Sequence, residues 1–145
     1  MGWKTPSPRS VFIAWAAGCA ATVLLVWTWH AVGLASRPSS AGYTYSQYLT
    51  TCVSWPFVLS FLALGGMLGL AFQQAWAAAL GLVTPLPAAV VIEFVQDRTS
   101  HNLLPFEFLF YWCPALILAA GGVLAGWALR RAMMRWRGGP HFLRR

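Results

Sequence analysis

Four long apolar runs, at 11–34, 51–72, 75–94 and 106–129, set the limits on what this chain can fold into. Crossing about 30 Å of hydrocarbon takes roughly 20 helical residues, and each run is close to that length. Because no water inside a bilayer can satisfy the backbone, such runs must be helices; barrel strands would need shorter, alternating segments. The reading is therefore all-α: an integral membrane four-helix bundle, one domain over 1–145, with a basic tail at 130–145.

Surface chemistry agrees. With 59% hydrophobic and 9% charged residues, the chain falls far below the roughly 25% charge of soluble domains. Three acids and ten bases cannot cover a water-facing surface. The net charge of +7 is also unevenly spread. Arg130, Arg131, Arg135, Arg137, Arg144 and Arg145 follow the last apolar run, and Lys4 and Arg9 precede the first. Basic flanks mark the cytoplasmic side, so both termini are expected there, with the Gln73–Gln74 turn. The other two loops, carrying Arg37 and Arg98, fall outside. The expected partners are the bilayer, anionic lipid bound through the six C-terminal arginines, and a protein in the membrane or cytoplasm. No nucleic-acid reading module accompanies the basic tail, so no nucleic-acid partner is expected.

The first run follows basic residues, and Gly33-Leu34-Ala35 weakly resembles a cleavage site. The run exceeds a signal-peptide core of about 7–15 residues, so it is read as an uncleaved span. Small residues mark contact faces: Ala14 with Gly18 and Ala17 with Ala21, Gly65 with Gly69, and Gly122 with Gly126. Packing within the bundle explains these spacings better than a dimer seam. Pro85 and Pro87 predict a kink or local unwinding in span three, while Pro56 and Pro114 suit first-turn positions. Trp27, Trp29, Trp55, Tyr111 and Trp112 are placed in an outer interfacial belt, and Trp15, Trp76, Trp127 and Trp136 in an inner one. Cys19, Cys52 and Cys113 have no metal or redox spacing and read as core residues.

All three carboxylate side chains lie in one stretch, EFVQDRTSHNLLPFE, at 93–107. If span three continues as a helix, Glu93, Asp97 and His101 share a face at i, i+4 and i+8. Glu107 and His30 reach the same outer rim by topology. A bland account covers much of this: Thr99, Ser100, Asn102 and Pro105 have turn and capping chemistry, and Glu107 suits a helix N-terminus. Two sharper readings stand beside it. His101, Glu93, Asp97, Glu107 and His30 could hold a divalent metal ion such as zinc, iron, manganese or copper, although their spacing matches no strong motif. Alternatively Glu93 and His101 could work as a catalytic acid and base on a lipid substrate. Glu93 follows Ala-Ala-Val-Val-Ile, so an ionised carboxylate at that depth costs about 2.5 kcal/mol unless paired.

Asp97, Thr99, Ser100, His101, Asn102, Leu103, Pro105 and Glu107 form a D-x-T-S-H-N-L-x-P-x-E block. It resembles a segment of small uncharacterised bacterial four-span membrane proteins. The resemblance covers the end of span three, the outer loop and the start of span four. It implies their fold and a bacterial inner membrane, but no activity. Span one has no acid, so the chain departs from small multidrug resistance transporters, whose hallmark is a glutamate there. The leading expectation is a non-enzymatic accessory or interaction component with a polar site on its outer rim. A metal-binding protein or lipid-directed enzyme, and a small transporter, are the alternatives.

Overall fold

The computed structural model describes residues 6–35, 45–96, 110 and 112–137. Every regular element among them is a helix: α1 (Pro8–Ala31), α2 (Tyr45–Thr50), α3 (Trp55–Ala71), α4 (Ala75–Val83), α5 (Pro85–Gln96) and α6 (Cys113–Arg137). Three stretches, α1, α4 with α5, and most of α6, are long and apolar enough to cross a membrane; α3 is apolar but shorter, at 17 residues.

Local chemistry explains the boundaries. Ser7 caps α1 by accepting the Ser10 N–H at 3.2 Å, and Pro8 opens the helix where no intrahelical donor is needed. At the other end Gly33 adopts φ +73°, which a side chain would resist. That conformation lets the Leu34 and Gly33 N–H groups bond the carbonyls of Trp29 and His30, closing the helix with a Schellman turn. Gly33-Leu34 thus acts as a helix stop. Pro56 and Pro114 are each the second residue of their helix.

Pro85 and Pro87 do not unwind span three. Thr84, between α4 and α5, keeps helical dihedrals of −56° and −38°. Its N–H bonds the Leu80 carbonyl at 3.0 Å and its own carbonyl accepts from Ala88 at 3.2 Å, so the ladder bridges the proline pair. Two side chains of α1 also bond to this region. The Thr22 hydroxyl of α1 donates to the Leu82 carbonyl at 2.7 Å, and the Trp15 indole N–H donates to Thr84 Oγ1 at 3.1 Å.

Two helix pairs carry the closest packing, and the small residues make them possible. In the first, α1 meets α4: a Cβ on Gly18 would lie 2.5 Å from the Ala78 carbonyl oxygen, and one on Gly81 would strike the Trp15 carbonyl. In the second, α3 meets α6: a Cβ on Gly122 would lie 2.6 Å from the Leu62 carbonyl oxygen, and those of Gly69 and Gly126 would strike Val123 and Gly66. The partners ascend together in number, so each pair runs parallel. Backbone meets backbone in both, as expected where lipid removes the hydrophobic drive and contact depends on dispersion. Phe61, Ala79, Leu82, Val83, Ala119 and Val123 fill the space where the pairs join. Exposed Phe12, Leu24, Leu59, Met67, Ile117 and Leu124 face outward, the pattern of a surface in lipid.

Hydrogen bonds register the ends. Gln74 Nε2 donates to Ser10 Oγ at 3.1 Å, and Arg130 Nη1 donates to the Ala71 carbonyl at 3.4 Å. The start of α1, the α3–α4 turn and the late part of α6 therefore gather at one end. The end of α1, α2 and the start of α3 lie at the other.

Two expectations need correction. Trp29 is 9% exposed and packs edge-on against Phe57 at 5.5 Å, so it is a core residue and not part of an outer belt. Trp15 is half-buried, with its indole turned to Thr84 instead of a headgroup. The basic tail begins as helix: α6 continues through Arg130, Arg131 and Arg135 to Arg137. Ala, Arg and Met all favour helix, and no breaker occurs before Gly138. Trp27, Trp55, Trp76 and Trp136 are exposed, as an interfacial position requires.

Candidate functional site

The polar end built from α1, α2 and α5 contains two of the five predicted site residues. His30, next to last in α1, places Nε2 2.9 Å from the Tyr48 carbonyl oxygen, and the two rings lie 4.5 Å apart with a 55° tilt. A carbonyl only accepts, so Nε2 carries a proton and is the donor of this bond. The same carbonyl receives Cys52 Sγ at 3.2 Å and Thr51 Oγ1 at 3.4 Å. Three side chains thus converge on one backbone oxygen near the end of α2; Thr51 and Cys52 reach back locally, and the His30 bond ties α2 to the end of α1.

Glu93 lies on α5, which packs against α2. It is 5% exposed, and with Thr22 it makes up the buried polar side chains among the described residues. Glu93 is engaged with a partner, as are Thr50 and Thr51. Asp97, His101 and Glu107 lie outside the described residues, so the five-residue constellation is represented here by His30 and Glu93 alone. Among the described residues no three His, Cys, Asp or Glu side chains are grouped to hold a metal ion.

No family model, curated protein or solved structure matches this chain. Functional argument therefore rests on the geometry.

Below the polar end lies a cavity of about 170 Å³. Thr22, Leu49, Phe57, Phe61, Leu86 and Leu118 are among its lining residues, so its walls come from α1, α2, α3, α5 and α6. They are almost wholly apolar, as suits hydrocarbon more than water. Near this end the indole N–H groups of Trp29 and Trp112 are buried with no acceptor among the described residues. Sequence reasoning did not find the cavity or the Tyr48 carbonyl. A backbone oxygen leaves no mark in side-chain spacing, and a cavity needs five helices placed at once. The free thiol of Cys52 is fully buried beside Val26 and Trp29, consistent with a packing role.

Proposed function

We propose that the chain is a four-span inner-membrane component of a bacterium, with both termini cytoplasmic, that works by interaction through its outer polar end. The observation that carries this reading is the buried Glu93 on α5 beside α2, with α2 itself fastened by His30. A rim held this firmly suits recognition, because little ordering entropy is lost when a partner binds. The close glycine-mediated pairing of α1 with α4 and of α3 with α6 supports a bundle that serves as a rigid platform. The basic end anchors the opposite side to anionic lipid, and the D-x-T-S-H-N-L-x-P-x-E block supports kinship with small four-span bacterial proteins.

The test is site-specific photo-crosslinking in native membranes from positions 48 and 53 at the rim, with position 24 on the lipid face as control. The reading requires a discrete protein adduct from the rim and none from position 24. Identical adduct patterns from both would defeat it.

A second reading is favoured by the apolar cavity that Leu49 and Leu86 help to line at this end: a protein that binds or acts on a lipid at that rim, with Glu93 and His101 as acid and base or with a divalent metal held by His101, Glu93, Asp97, Glu107 and His30. Elemental analysis separates the cases. Stoichiometric metal lost in His101→Ala would favour the metal form. Lipid turnover abolished by Glu93→Gln without loss of fold would favour the enzyme.

A further inference from the structure

At the end opposite Glu93, Gln73 of the α3–α4 turn and Trp127, Arg130, Arg131 and Met134 of α6 line an open recess of about 240 Å³. Trp127 and Arg131 lie one turn apart on α6, and the guanidinium carbon of Arg131 sits 4.0 Å over the indole ring. Stacking of this kind fixes the plane of the guanidinium and leaves its N–H edge facing outward. Arg130 is held as well, by the bond from Nη1 to the Ala71 carbonyl, which leaves four of its five donors for other partners. Both oriented cations line the recess together with Gln73.

Neither arginine pairs with a carboxylate among the described residues, whose only acidic side chain is Glu93. Eighteen residues of helix separate Ala75 at this end from Glu93, about 27 Å at 1.5 Å per residue. Physiological salt screens charge over about 8 Å, so Glu93 does not neutralise these guanidinium groups. No carboxylate among the described residues is therefore available to them as a counter-anion. Planar guanidinium donors match a phosphate in bidentate fashion, and Trp127 and Met134 add apolar surface beside it.

We infer that this recess is a discrete binding site for one phosphate group, presented by the headgroup of an anionic phospholipid. The inference deepens the reading of the basic end as a lipid anchor and rests on it. It assigns specificity to Gln73, Arg130 and Arg131, and leaves Arg135, on the same helix but outside the recess, as general charge. Position favours lipid over free phosphate, because the recess adjoins the apolar bodies of α3 and α6.

The test uses the full-length protein, stripped of lipid in detergent and titrated with phosphatidylglycerol or phosphatidylcholine, with bound lipid counted by native mass spectrometry. A parallel arm adds inorganic phosphate alone. One phosphatidylglycerol should bind in preference to phosphatidylcholine. Arg131→Gln should weaken it about tenfold, Arg131→Lys should recover part of the loss, and Arg135→Gln should change it less than about twofold. If Arg135→Gln weakens binding as much as Arg131→Gln, the recess is not a site, although anchoring by diffuse charge survives. Equal binding of the two lipids would remove both readings. Saturable binding of inorganic phosphate that displaces phosphatidylglycerol would overturn the lipid assignment in favour of a soluble anion.

Discussion

His30 Nε2 lies 2.9 Å from the Tyr48 carbonyl oxygen, joining residues 18 positions apart across the first loop. This bond holds α2 against the end of α1 and keeps Cys52 covered. Replacing His30 with Phe keeps an aromatic ring beside Tyr48 but removes the donor. A lost hydrogen bond of about 1 kcal/mol should raise local opening roughly fivefold. In a Cys19→Ala, Cys113→Ala background, maleimide labelling of Cys52 should accelerate by that factor. An unchanged labelling rate would show that the bond does not hold α2.

Adjacent glycines should respond in opposite directions. At Gly122 a Cβ would press on the Leu62 backbone, while at Gly121 it would meet nothing within 4 Å. Gly122→Ala is expected to cost about 1–3 kcal/mol through forced separation of α3 and α6. Gly121→Ala should gain up to about 1 kcal/mol from helix propensity. Thermal unfolding in detergent, run on both variants, reads the contrast directly.

Thr22→Val removes the hydroxyl that serves the Leu82 carbonyl beside the proline pair while nearly preserving volume. Membrane hydrogen bonds average about 0.6 kcal/mol and reach about 1.7. A loss near the upper value is expected, because this bond is buried between two helices. Thr28→Val supplies the control: its hydroxyl bonds only the Leu24 carbonyl within its own helix. Equal losses at both positions in equilibrium unfolding would refute the special role of Thr22.

Orientation has a direct readout. Cysteines introduced at positions 35 and 135, in a chain freed of its native thiols, should differ in labelling by an impermeant maleimide applied to intact cells. Position 35 should react from outside and position 135 only after lysis. The reverse pattern would invert the proposed topology.

The helices were legible because their causes are local. Long apolar runs, Pro8 at a first turn and Gly33 after a last one can each be read residue by residue. Gly65, Gly69, Gly122 and Gly126 also announced close contact, although not which helices would meet. At the candidate site the signal was thinner: the acidic stretch drew attention to Glu93, but only the structure shows that it is buried. Trp29 misled, since an indole suits an interface and a core equally well until its neighbours are known. The arginines of the tail read as diffuse charge because sequence does not show that Trp127 stacks under Arg131 or that Gln73 comes alongside.

Sequence by itself determined that this chain must be helical and apolar on its outer surface, because a buried backbone and a shortage of charge admit nothing else. Tertiary structure decided the pairing of α1 with α4 and α3 with α6, the burial of Trp29 and the recess at Gln73 and Arg131. Each of these depends on the distance between segments far apart in the chain. Two glycines in sequence permit a close approach, but only a facing backbone at the right height makes one.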